Sequence, residues 1–182
     1  MKISDRESQA GFLEKSENIL PKNVPAFSNA AYLCIMPVQD YPEILPQLQA
    51  VSKPEDEIEI LNQYAYSLWL SQPVKTGEIA LIAKEKAEAI GYREGIAGAT
   101  RNLGISLSVQ GKLQQALDTF EEALGLYQEL GDQEGQTILK GSIGNVYVRL
   151  NQYGKALEWQ QDSLRAARKL KMKSWVAVML GN

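Results

Sequence analysis

Apolar and small residues recur along the second half of the chain at helical spacing. Leu113, Ala116, Leu117, Phe120, Ala123, Leu124 and Tyr127 fall at steps of three and four, which predicts one buried helix face. Forty residues further on, the same steps fall on Tyr153, Ala156, Leu157, Gln160, Ser163, Leu164 and Ala167. The segment before each face is also repeated. Leu103, Gly104 and Leu107 correspond to Ile143, Gly144 and Tyr147, and GYREG at 91–95 corresponds to GDQEG at 131–135. A fixed period of this length means stacked helical hairpins that share a continuous core. The pattern predicts hairpins over residues 54–91, 93–131 and 133–171, and a fourth that begins at residue 173.

The punctuation agrees with these hairpins. Gly91 and Gly131 stand where a left-handed residue ends a helix. Asp132 is placed to cap the helix that follows it. Pro73 suits a first helical turn. A glycine inside a helix costs about 1 kcal/mol relative to alanine. Gly104 and Gly144 are therefore expected to mark close approach of a second helix, with Ala116 and Ala156 as the facing small residues.

The spacing of Leu103, Gly104, Leu107, Ala116, Phe120 and Ala123 resembles the tetratricopeptide repeat. The period of 40, longer than usual for that repeat, resembles the subgroup with extended helices found in bacterial signalling proteins and some eukaryotic scaffolds. The first copy is similar to the opening repeat of sensor regions that precede cyclase or histidine kinase domains. The resemblance covers about residues 54–182 and implies an all-α fold, a right-handed superhelical array of TPR helical hairpins (an alpha-alpha superhelix). Four positions depart from the pattern: Ala65 replaces the glycine, Thr76 and Ser163 replace alanines, and Gln160 replaces the aromatic.

The resemblance also implies where a ligand sits. In the family, contacts come mostly from first-helix positions that line a concave face. Carried over, these are Asn62, Tyr66 and Trp69 in the first copy, then Arg101, Asn102, Ile105 and Ser108, then Asn145 and Arg149, and finally Asn182. Asparagine amides can bridge a peptide backbone, and arginines can grip a carboxylate or phosphate. Asn62 and Tyr66 do not match the carboxylate clamp that binds chaperone tails, which argues against that ligand.

The two ends differ from the array. Residues 1–53 are expected to form an irregular helical N-terminal cap, with an amphipathic helix over 4–20 and then five prolines, from Pro21 to Pro46. At the other end Gly181 aligns with Gly141. The register therefore suggests an N-terminal fragment of a longer protein, with an exposed apolar helix over 175–180 through which a homodimer could form.

Composition narrows the chemistry. A net charge of −3 disfavours nucleic acid as a partner. The chain has no histidine, which removes Ser-His-Asp and Cys-His catalysis and histidine-ligated metals. Its one cysteine, Cys34, allows no internal disulfide and reads as a small buried apolar residue. The apolar stretch at 30–38 is about half the ~20 residues a spanning helix needs, so no membrane role is expected. The glycine-rich pieces carry no phosphate-loop motif, and Glu121-Glu122 has no metal-ligand companion. The basic run at 165–173 suits a helix C-terminus, or a docking patch for an acidic partner. The reading is a cytoplasmic, non-enzymatic module that binds a protein or peptide in its groove. It uses no cofactor or metal and serves as the N-terminal input region of a signalling protein. The alternative is a self-associating scaffold.

Overall fold

The computed structural model describes residues 41–181. The expectations for residues 4–20, Cys34 and Asn182 lie outside them. The chain divides into two compact units, Met1–Ser52 and Lys53–Asn182. The described part of the first unit is a turn leading into helix α1 (Leu45–Ala50), with proline in its first turn and Tyr41, Ile44 and Leu48 buried.

The second unit consists of seven helices among its described residues: α2 (Pro54–Leu68), α3 (Pro73–Ile90), α4 (Arg93–Val109), α5 (Leu113–Glu129), α6 (Gln133–Arg149), α7 (Tyr153–Lys169) and α8 (Lys173–Leu180). Each packs against the next in the chain. In addition α2 packs on α4, and α4 on α6. The first helices of successive hairpins thus form one layer and α3, α5 and α7 form the other, the arrangement of an alpha-alpha superhelix.

The helix ends set this spacing. Gly91, Gly111, Gly131, Asn151 and Lys171 follow one another at intervals of 20 residues, with φ of 70°, 83°, 69°, 58° and 58°. Each left-handed residue is followed by an amide that donates back five residues. The bonds are Tyr92 N–H to the Ala87 carbonyl (2.9 Å), Lys112 to Leu107 (2.9 Å), Asp132 to Tyr127 (3.0 Å), Gln152 to Tyr147 (2.9 Å) and Met172 to Ala167 (2.9 Å). These Schellman closures satisfy carbonyls that a helix end leaves open. Asp132 also caps α6, accepting from the Gly135 amide at 2.9 Å.

The hairpins close where small residues receive large ones. A Cβ on Gly104 would lie 2.5 Å from two ring carbons of Phe120. The facing residue is therefore Phe120, one helical turn beyond the expected Ala116. At Gly144 the neighbours are Gln160 Cγ at 2.7 Å and the Ala156 carbonyl oxygen at 3.4 Å. Gln160 occupies the aromatic's place there, and the Ala156 backbone completes the contact. The other departures from the repeat are paired as well. The buried Thr76 hydroxyl donates to the Ala65 carbonyl at 3.1 Å. The buried Ser163 hydroxyl donates to the Thr137 carbonyl at 2.7 Å and accepts from the Trp175 indole N–H at 2.9 Å.

These contacts separate two like substitutions. Gly104→Ala gains about 1 kcal/mol in helix propensity but drives a methyl into a ring that is 1% exposed, and overpacking costs about 1–3 kcal/mol. Gly144→Ala meets a flexible glutamine that can turn away. Chemical denaturation should therefore show Gly104→Ala as the more destabilising, by at least about 1 kcal/mol. Equal stability of the two variants would contradict the ring contact.

Candidate functional site

Four first helices contribute stripes to one groove of about 780 Å³ in the second unit. Helix α2 supplies Tyr66 and, at its C-cap, Trp69, and α4 supplies Ile105 and Ser108. Helix α6 supplies Ile138, Ser142, Asn145 and Arg149, and α8 supplies Trp175 and Val178. Within each helix the residues are spaced by three or four, so they form a single face. Phe120 of α5 also lines this space, and Gln160 of α7 reaches Asn145 at its edge.

The chemistry changes along the groove. Tyr66 and Trp69 are 46% and 36% exposed, which leaves two aromatic surfaces open to a ligand. Arg149 reaches back to the end of α4. Its guanidinium donates to the Ser108 carbonyl, and to the Ser108 hydroxyl at 3.2 Å. A cation against the C-terminal carbonyls of a helix is favoured by the helix dipole. Asn145 is exposed, and its side-chain oxygen accepts from the Gln160 amide at 3.1 Å. Gln160 thus supports both Gly144 and Asn145, a role its departure from the repeat did not suggest.

Three of the residues expected in the groove sit elsewhere. Asn102 is fully buried, and its side-chain N–H donates to the Asn62 carbonyl at 2.9 Å. Asn62 is 6% exposed and donates to the Gly95 carbonyl at 3.1 Å. These asparagines pin α4 to α2 through main-chain carbonyls, so Asn102 offers no surface to a ligand. Arg101 does not join Arg149. It lies over the Tyr66 ring, 5.3 Å from the centroid, and its Nε is buried without a hydrogen-bond partner. Burial raises the Tyr127 hydroxyl above its usual range, and the nearby guanidinium works in the opposite direction. Arg101 and Asn62 line a separate cavity of about 480 Å³, together with Glu59, Glu94, Tyr127 and Asp132. Tyr66 borders both spaces.

Conversely, the sequence reading missed Ile138, Ser142 and Trp175. Ile138 and Ser142 share the α6 stripe with Asn145 and Arg149, so helical spacing extended backwards would have found them. Among the described residues no group of three or more His, Cys, Asp or Glu is arranged to hold a metal. No helix among them is long and apolar enough to cross a membrane.

The family model of the tetratricopeptide repeat matches residues 95–169, which comprise most of α4 and all of α5, α6 and α7. The chain is similar in fold to the crystal structure of the TPR domain of FLU from Arabidopsis. The TM-score is 0.58 at 23% identity, over 64% of this chain and 99% of that one. It is also similar to the Tonsoku-like protein of Drosophila melanogaster, 30% identical over 88 residues. That match covers 48% of this chain but spans only 6% of the relative's length. The repeat model thus matches over residues 95–169, and the structural similarity is one of fold.

Glu59, in the lining of the smaller cavity, carries a titration signature. Tyr92 donates its hydroxyl proton to Glu59 at 2.9 Å. Desolvation, then this bond, pushes the Tyr92 pKa from 10.0 up to about 12. A raised acid pKa means that the folded state holds the proton more tightly. The stabilising contribution is whole below the unfolded value near 10 and is lost as pH rises towards about 12. In an absorbance titration at ~295 nm, Tyr92→Phe should remove a step near pH 12, and Glu59→Gln should move that step down. No change in the high-pH limb for either variant would contradict the bond.

Proposed function

We propose that this tetratricopeptide-repeat protein binds a peptide or partner helix in the groove lined by α2, α4, α6 and α8. Repeats of this kind mediate protein–protein interaction. The observation that carries the reading is the groove itself, about 780 Å³, with Trp69 and Tyr66 at one end and Asn145 and Arg149 further along. Exposed aromatics and arginine are the residue types that dominate binding energy at interfaces. Asn145 and Arg149 add directional polar contacts.

The larger role we assign is that of an input region in a signalling protein of the cytoplasm. Its support is the similarity of the first copy to sensor repeats, together with the reducing-compartment composition of one cysteine. A second reading, self-association through the end of the array, is favoured by a separate observation. Tyr153, Leu157 and Leu180 are 64%, 56% and 52% exposed, while Leu117, which corresponds to Leu157 one period earlier, is 4% exposed. Sedimentation separates the two readings. A monomer at micromolar concentration favours the groove, and a concentration-dependent dimer abolished by Leu157→Glu favours the scaffold.

The groove reading is tested by selecting peptides from a random library displayed on phage. The wild-type protein should recover a shared motif with apolar anchors. Trp69→Ala combined with Arg149→Ala should weaken the selected peptide by about 2 kcal/mol or more, some ~30-fold. Glu121→Ala, on the other helix layer, should leave affinity within about twofold. Equal effects of the two sets, or recovery of no motif, would overturn the assignment.

A further inference from the structure

The smaller cavity, about 480 Å³, lies in the second unit between α2, α4 and the segment that links α5 to α6. Its polar lining is unbalanced. Glu59, Glu94 and Asp132 contribute three carboxylates against the single guanidinium of Arg101. The Arg101 guanidinium lies over the Tyr66 ring, and its Nε is buried without a hydrogen-bond partner. The Asn62 amide lies in the same lining, 6% exposed, and its Oδ1 has no hydrogen-bond partner although its Nδ2 has one. Gly98 leaves room above that amide. A Cβ there would lie 3.0 Å from Asn62 Nδ2 and 3.4 Å from its carbonyl carbon.

A buried acceptor without a partner calls for a donor. The excess of carboxylates calls for that donor to be positively charged. An anion would meet the Arg101 Nε–H but would face three like charges from Glu59, Glu94 and Asp132. A primary ammonium fits these demands together. It presents three N–H donors from a compact centre, and its aliphatic stem can lie along an aromatic ring. Tyr66 is the shared wall of the cavity and the groove, so a peptide passing Trp69 and Tyr66 has this cavity within side-chain reach.

We propose that the cavity formed by Glu59, Asn62, Glu94 and Asp132 receives a lysine side chain of the peptide held in the groove. This rests on the groove reading and adds a specificity position to it. Arg101 then acts as a positioning residue that fixes Tyr66, and does not itself grip an anion.

The probes are the peptides recovered by phage selection, made synthetically with a free or an acetylated N-terminus. Isothermal titration should show a lysine at one fixed distance from the apolar anchors. Replacing that lysine by norleucine should weaken binding about tenfold to the wild-type protein and have no further effect on the double variant Glu59→Gln/Glu94→Gln. Glutamine is near-isosteric with glutamate, and the amide oxygen introduced by Glu59→Gln would keep an acceptor for Tyr92. The double variant should therefore unfold within a few degrees of wild type. Acetylation should change nothing, since the expected ammonium is the side chain's. A loss on acetylation would give the cavity to a peptide N-terminus and overturn the lysine assignment. A motif with an acidic residue at that position, or equal binding of lysine and norleucine, would overturn the proposal and leave the groove standing. Recovery of no motif would overturn both.

Discussion

A left-handed residue every 20 positions is the constraint on which the array depends. Gly91, Gly111, Gly131, Asn151 and Lys171 each reverse the chain after a helix, and each is followed by an amide bonded five residues back. Helices α4, α5, α6 and α7 are consequently all 17 residues long. Equal lengths and equal turns keep one residue type at one height in every hairpin. That is why Gly104 meets Phe120 and Gly144 meets Gln160 with the same 16-residue separation. The turns tolerate different occupants. Glycine takes positive φ without a Cβ penalty, asparagine takes it readily, and Lys171 takes it because the closing bond from Met172 is made.

Equal spacing has a second effect. First helices pack on first helices, so their outward stripes join into one face. Buried asparagines hold this layer together without using its surface. Asn102 bonds a carbonyl of α2, and Asn62 bonds a carbonyl of α4. Arg149, by contrast, bridges α6 to the end of α4 while remaining exposed. The same layer therefore has a fixed interior and an accessible rim, which suits a groove that must keep its shape while it takes a ligand.

The sequence made the fold class legible because two independent periods agree: the 3.6-residue spacing within helices and the 40-residue spacing between copies. Asp132 and Gly131 marked their helix boundary because capping chemistry is local. The site was less legible. Asn102 looked like a surface residue because asparagine is polar, yet its partner is 40 residues away in another helix. Arg101 and Arg149 looked equivalent, but one lies on Tyr66 and the other on Ser108. Burial and long-range bonding depend on which neighbour stands across the layer, and no single-chain periodicity carries that information. Ser163 shows the same limit. It read as a defect in the repeat, and it is the acceptor that seats Trp175.

The central claim is that ligand lies on the first-helix face. Photo-crosslinking tests this most directly, with p-benzoylphenylalanine installed in turn at the positions of Ile105, Asn145 and Glu121, and a selected peptide as the target. The account predicts crosslinks from the positions of Ile105 and Asn145, which line the groove, and none from that of Glu121 on the other layer. Crosslinking from the position of Glu121 alone would contradict it.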